Sequence, residues 1–359
     1  MSGEAMRASA LGLLAGTLTP AEAAHRTGHR TPAAHARTFQ ARFHAPPAAF
    51  AELPRTGRLR LTYGGPYDHA NALAYLARDP ANAAERVEGA RYRRLLPADG
   101  RAVAVTLELA ADGCEVAVAP GLGADALLEL HGVLLRVLGL GQPVQAFYRA
   151  SRAHPVMGPL TRQLRGVRMM CSPTLWEALC WAVLGQQINL AFAYRLRNRL
   201  IRLGNGLPAE PAPEEPPAPD PLPFPTPEQV LALDVDTLRA HQFSRQKSAY
   251  LGHVARAVTE GPLRDASLER TAPEELEAAL LAVKGIGRWS AAYGLMRGLG
   301  HLDAVPVGDV GLRIALERQF GLETPPDAAA QEALMEPFRP FRSLATYYLW
   351  RSLRLTPAE

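Results

Sequence analysis

The 359-residue sequence predicts an α+β chain, with an antiparallel sheet and its helices first and a mostly α-helical part after it. Three observations predict this. From Arg58 to about Leu140, short and often alternating apolar runs are separated by glycine and Asp-Gly breaks. After Pro143, apolar residues return every three or four positions instead. Between residues 207 and 227, ten prolines interrupt the helical pattern. A 48% hydrophobic composition is ordinary for a globular chain, and the length allows two or three domains. No uninterrupted apolar run reaches about 18 residues and the start lacks a signal-peptide pattern, which predicts a soluble cytoplasmic protein with no membrane partner. Three cysteines, Cys114, Cys171 and Cys180, are too few and too scattered for a disulfide framework or a metal site.

Residues 1–55 are rich in Ala, Arg and His and read either as a partial helix-turn-helix or as a mobile basic arm. Residues 56–142 form the sheet domain. Its strands are expected at Leu59–Tyr63, Tyr92–Leu96, Val103–Leu109 and Cys114–Val118. Its helices are expected from Asp68, the N-cap, to Ala77 and from Ala124 to Leu138. Residues 143–206 begin the helical region, where an amphipathic run from Leu175 to Leu203 breaks at Gly185-Gln186-Gln187-Ile188-Asn189. Arg152, Arg162, Arg165, Arg168, Arg195, Arg197, Arg199 and Arg202 lie there against the single acid Glu177. Such a segment is either a solvated face or a seat for a polyanion. The proline-rich stretch 207–227 is expected to be an extended, exposed insertion. Thr226 as N-cap with Pro227 at the first helical position then opens the second helical part, 228–359.

That second part contains the segment with the most chemistry. Leu276, Leu280, Leu281 and Val283 have helical spacing, and another periodic run begins after Gly287, so Lys284-Gly285-Ile286-Gly287 is a tight turn between two helices. Ile286 is placed to plug the turn into the core, while the glycines leave backbone N–H groups open to a phosphate. Beyond it, Val305-Pro306-Val307-Gly308 presents Asp309 at the head of a helix running from Val310 to Phe320. On spacing alone Asp309 is an N-cap, and Trp289 and Tyr293, four apart on one helical face, are core packing.

These motifs, in this order, resemble the helix-hairpin-helix (HhH-GPD) DNA glycosylase superfamily, and within it the 3-methyladenine DNA glycosylase II (AlkA) type. The likeness runs from about Tyr63 to Leu355. It includes Gly65-Pro66-Tyr67-Asp68, the turn at Gly185-Gln186, Phe224-Pro225-Thr226-Pro227, Ser244 to Lys247, and the C-terminal run from Glu336 to Trp350. The resemblance implies a TBP-like sheet domain, followed by two helical subdomains around a cleft. It implies Asp309 as the catalytic carboxylate, with Trp289, Tyr293, Trp350 and Tyr67 lining the substrate pocket. Gly285, Ile286, Gly287 and Arg288 would grip DNA, and Gln187 or Ile188 would fill the gap left by an extruded base. Lys247 would be a phosphate contact or a solvated lysine.

The partner so implied is double-stranded DNA with alkylated purines, met by a monomer at the nucleoid, and the reaction is hydrolysis of the N-glycosidic bond. Lyases of the superfamily carry a lysine two residues after the second hairpin glycine. That position is Trp289, so no strand cleavage is expected. No cofactor and no metal are implied, although hairpin carbonyls in the superfamily can hold a monovalent cation. Gly308 and Val310 depart from the family pattern beside Asp309 and bear on substrate range. Residues 21–47, with Phe39, Phe43 and Pro47 at four-residue spacing, look like the second helix-turn-helix of AraC-type regulators. The alternative function is therefore a non-catalytic damage-binding or regulatory DNA-binding protein.

Overall fold

Residues 3–212, 220–264 and 271–355 are described by the structure, a computed structural model, and they divide into two units. The first holds residues 3–135 and 220–224, and the second the remainder.

The chain starts with four helices: α1 (Gly3–Leu14), α2 (Pro20–Arg26), α3 (Pro32–Phe43) and α4 (Pro47–Thr56). Thr19 and Glu22 form a capping box at α2, and Thr31 caps α3, each followed by proline at the first helical position. Phe39, Phe43 and Phe50 bury their rings against one another, with centroids 4.5 to 5.4 Å apart. The mobile-arm alternative is therefore set aside, because this segment has its own aromatic core. It is also tied to the chain just past the first strand, since His44 accepts the Thr62 N–H and returns an Nδ1–H to the Thr62 carbonyl at 2.7 Å.

The sheet part comprises β1 (Arg58–Leu61), α5 (His69–Leu76), β2 (Glu85–Glu88), β3 (Arg91–Ala98), β4 (Arg101–Leu109), β5 (Cys114–Val118) and α6 (Ala124–Leu138). The strands make one antiparallel sheet in the order β1-β5-β4-β3-β2. Alternation along β4 buries Val103, Val105, Leu107 and Leu109 on one face. Asp99 and Gly100 both take positive φ between β3 and β4, the geometry of a two-residue hairpin turn. Asp68 caps α5 by accepting the Asn71 N–H. Strand β2 has no counterpart among the expected strands. It is a Glu-Arg-Val-Glu edge strand without an apolar face, and its Glu85 pairs with Arg94 of β3 at 2.5 Å, both buried.

The second unit is helical: α7 (Val144–Ser151), α8 (Met157–Gln163), α9 (Leu175–Gly185), α10 (Leu190–Gly204), α11 (Pro227–Leu231), α12 (Val235–Ala240), α13 (Arg245–Thr259), α14 (Pro273–Leu281), α15 (Arg288–Tyr293), α16 (Val310–Phe320), α17 (Ala328–Met335) and α18 (Arg342–Ser352). A π-helical turn at Gly294–Gly298 continues α15. Helix α9 is buried nearly all round, and Gly294 and Gly298 let the π turn approach it, since a Cβ at either would stand 2.9 Å from Leu179 or Leu175. Among the described residues no helix is long and apolar enough to cross a membrane.

Two expectations need correction. The core of the proline-rich stretch, 213–219, lies outside the described residues; its N-terminal flank is mostly exposed as expected, but its C-terminal flank is docked. Pro221 and Pro225 are buried, Leu222 donates its N–H to the Ala83 carbonyl, and the Pro225 carbonyl accepts Trp176 Nε1–H. The arginine-rich segment is also half consumed internally, while Arg152, Arg162, Arg165 and Arg195 remain exposed. Arg197 is buried in an ion pair with Glu177 at 2.8 Å, Arg168 is buried, Arg199 joins Glu210 and Gln242, and Arg202 donates to the Pro208 carbonyl. Scarcity of acid in the local sequence did not mean scarcity of acceptors in space.

His131 on α6 donates Nε2–H to the Phe43 carbonyl at 2.8 Å, and burial pushes its pKa down to about 4. Between pH 6.5 and 4 the unfolded chain takes up a proton that the native ring refuses, so stability falls as pH drops through that window. The expected loss is on the order of 3 kcal/mol. Urea midpoints of the full chain at pH 7 and 4.5 should show it, and His131→Gln should flatten the difference.

Candidate active site

Asp309 begins α16 with extended backbone, and its Oδ1 accepts the Leu312 N–H at 2.7 Å, the N-cap bond its position predicts. Two further donors converge on the same carboxylate. Trp350 of α18 donates Nε1–H to Oδ1 at 2.9 Å, and Trp289 of α15 donates Nε1–H to Oδ2 at 3.0 Å. The three groups are half-buried, so the carboxylate is held yet reachable. Three N–H bonds fill three of the roughly four lone-pair directions of a carboxylate, leaving one free on Oδ2.

The surroundings fix that loop from both ends. Gly308, at φ 85°, donates its N–H to Oε1 of buried Gln331 on α17, whose Nε2 donates to the Pro326 carbonyl. At the other end Arg342 makes a two-pronged ion pair with Asp303, and Ser343 Oγ exchanges hydrogen bonds with the Ala304 backbone. Gly311 has no room for a side chain, because a Cβ there would lie 3.1 Å from Asp309 Oδ1 and 3.3 Å from the Trp350 ring. None of Gly311, Gln331, Arg342 and Ser343 is marked as a site residue by sequence. Their partners are brought in by tertiary folding and leave no local signal.

The aromatic residues take unequal places. The Trp289 and Tyr293 rings stack at 5.5 Å and 29°. Tyr293 is buried beneath Trp289, with the Arg297 guanidinium 5.9 Å from its ring centre on the π turn, so it backs the cluster instead of lining its open side. Tyr67 belongs to the first unit, where its ring stacks on Tyr63 at 3.9 Å.

In the hairpin, Gly285 has φ 102° and packs against Tyr250, whose ring a Cβ would meet at 2.2 Å. Ile286 is 4% exposed and its N–H donates to the Val283 carbonyl, so its side chain anchors the turn in the core, as expected, and is not itself presented to DNA. Gly287 leads α15 without a side-chain cap, which leaves the first-turn amides of that helix without a side-chain acceptor. Arg288 is exposed and pairs with Glu332 of α17. The Val283, Lys284 and Gly285 carbonyls already accept from Ile286, His253 and Gln186, so protein donors satisfy the hairpin. Among the described residues no cluster of His, Cys, Asp and Glu is placed to hold a metal ion.

Between α9 and α10, Gln187 is exposed at φ 56° while Ile188 is half-buried, and Asn189 caps α10. Lys247 is neither a phosphate contact nor a solvated lysine. Its Nζ is buried at the C-terminus of α9 and donates to the carbonyls of Val183, Leu184 and Gln186 at 3.0, 2.9 and 2.7 Å. Burial pushes its pKa down to about 8, so at neutral pH it stays charged with all three N–H groups engaged.

Residues 180–340 match the HhH-GPD superfamily of base excision DNA repair proteins, and residues 58–174 match the AlkA N-terminal domain. A DNA-3-methyladenine glycosylase of Bacillus subtilis is 33% identical over 215 residues, spanning 60% of this chain and 69% of that protein. The chain belongs to the HhH-GPD superfamily. It is a DNA glycosylase of base excision repair, it binds DNA, and its hydrolytic reaction needs no cofactor. A 3-methyladenine DNA glycosylase of Archaeoglobus fulgidus shares the fold with a TM-score of 0.69 at 24% identity, covering 84% of this chain and 99% of that one. The Schizosaccharomyces pombe 3-methyladenine DNA glycosylase Mag1, solved with abasic DNA, is 27% identical with a TM-score of 0.51, covering 60% of this chain and 99% of that one.

Gly285→Ala should test the hairpin of this glycosylase. Positive φ together with the Tyr250 clash is expected to cost about 1–3 kcal/mol of stability, read from denaturant unfolding, and to weaken binding of undamaged duplex.

Proposed function

We propose that the glycosylase excises alkylated purines from double-stranded DNA as a monomer, with Asp309 as the catalytic carboxylate and no lyase step. The observation that carries this reading is the half-buried carboxylate fixed by two indole N–H groups and one backbone N–H. A target base inside the duplex is out of reach, so the nucleotide is extruded, at a cost of a few kcal/mol that is least for damaged pairs. As the bond from C1′ to the base nitrogen breaks, positive charge grows on the sugar, and a carboxylate already oriented by three donors needs no rearrangement to stabilise it. The remaining lone-pair direction on Oδ2 is open to the attacking water, which Asp309 orients and relieves of its proton.

Alkylated purines are electron-poor and often cationic, which weakens the glycosidic bond and favours contact with indole faces. Trp289 and Trp350 supply those faces, with Tyr293 supporting Trp289 from behind. The names of the similar proteins from B. subtilis, A. fulgidus and S. pombe point to the same substrate class. Gln187 at the exposed tip of its turn is favoured over half-buried Ile188 as the group that enters the duplex. The hairpin at Gly285 and Gly287, with Arg288, is the phosphate grip. No lysine stands beside Asp309 to form a Schiff base, since Trp289 holds that position.

Release of free base from methylated duplex DNA tests the reading directly. Asp309→Asn should lower release by about a hundredfold or more while binding of undamaged duplex stays near wild type. Release unchanged in that variant would overturn the assignment, and a covalent adduct trapped by borohydride would overturn the monofunctional reading. Trp350→Phe keeps the ring face but deletes one donor, and should slow single-turnover release by about tenfold with little change in substrate affinity.

A further inference from the structure

We propose that Lys247 and Gln186 are positioning residues, which together lock the Gln187 turn to the hairpin in the geometry needed to enter damaged DNA. This rests on the reading of that turn as the segment that fills the gap left by an extruded base.

Helix α9 ends at Gly185, where its last carbonyls have no partner within the helix and that of Val183 takes only the cap N–H of Gln186, at 3.3 Å, from the turn itself. The chain then reverses through Gln187, a non-glycine residue in the left-handed region, exposed at the tip of the turn. Left-handed backbone at such a residue persists only where neighbouring structure imposes it. Here the imposing group is the Lys247 ammonium, whose three N–H groups reach the Val183, Leu184 and Gln186 carbonyls. On α13 itself the lysine sits at the third helical position, where the helix dipole disfavours a cation, so its own helix gives no reason for the charge. The C-terminus of α9 favours it. The charge therefore belongs electrostatically to α9.

The second link leaves from the residue that Lys247 holds. Gln186 accepts the ammonium with its backbone carbonyl and directs its side chain to the hairpin, donating Nε2–H to the Gly285 carbonyl at 3.0 Å and to Ser290 Oγ at 3.3 Å. One short path thus joins α13, the tip of α9 and the phosphate-gripping hairpin. A displacement of the hairpin cannot leave the Gln187 turn where it was.

The choice of lysine supports this. Of the 39 Lys and Arg residues in the chain, only those at 247 and 284 are lysine. A chain so committed to arginine has arginine at nearly every site that needs only positive charge. Three carbonyls converging on one point call for the compact, three-pronged ammonium, which a planar guanidinium fork does not imitate.

Binding of the full-length protein to a duplex bearing an abasic-site analogue, compared with the undamaged duplex over a salt series, tests the proposal without requiring base release. Lys247→Met, Lys247→Arg and Gln186→Ala should each lose about tenfold to hundredfold in affinity for the abasic duplex, with undamaged binding within about twofold of wild type. The slope of log affinity against log salt should not change. A phosphate-contacting lysine behaves otherwise: arginine replaces it without loss, while Lys247→Met weakens both duplexes alike and lowers the salt slope by about one. Either of those outcomes overturns the proposal. Should Lys247→Met fail to unfold cooperatively, Gln186→Ala carries the same comparison, and an unchanged preference for abasic DNA in that variant would overturn it equally. Absence of base release by the wild type would refute the proposed reaction and leave this binding result standing.

Discussion

A single carboxylate with three N–H donors on it sets the arrangement of the C-terminal helices. Its donors come from the first turn of α16, from α15 after the hairpin and from α18 near the end of the chain, so three elements distant in sequence must meet within hydrogen-bond distance of Asp309. The tolerance is small. Gly311 carries no side chain because one would press on both the carboxylate and Trp350, and the approach to Asp309 is pinned by Gln331 at one end and by Arg342 and Ser343 at the other. An acceptor left short of donors at this depth would cost more than any one of these bonds contributes, which is why the supporting network is as complete as the site itself.

The other end of the glycosylase region is organised by helix termini. Helix α9 is buried along its length and cannot turn its final carbonyls to water, so the chain must supply a donor from elsewhere. Lys247 does so, and in doing so brings the turn after α9 and the hairpin before α15 under common control through Gln186. Desolvation lowers the proton affinity of that ammonium, but three carbonyl partners and the dipole of α9 keep the charged form in place at neutral pH.

Much of this could be read from residue order. Strand β4, the Asp-Gly turn before it, the Asp68 cap, the break at Gly185 to Asn189 and the helix from Val310 to Phe320 all arise from local patterns that hold whatever surrounds them. Strand β2 did not announce itself, because a four-residue edge strand with a single apolar residue has no apolar period to detect. Arg197, Arg199 and Arg202 misled in the opposite sense. Their partners Glu177, Glu210 and Gln242, and the Pro208 carbonyl, lie on other elements or beyond the segment and become neighbours only on folding.

The sequence by itself determined the α+β class, the order of elements, the glycine hairpin and the acid at the head of α16, since each rests on short-range rules of period, capping and backbone freedom. Tertiary structure alone decided what those groups do to one another. It turned Trp289 and Trp350 edge-on to Asp309, set Tyr293 behind Trp289 and converted Lys247 from an expected DNA contact into the cap of a distant helix. The physical reason is that hydrogen-bond partnership and burial depend on residues up to tens of positions apart, and no periodicity in the chain encodes which of them will meet.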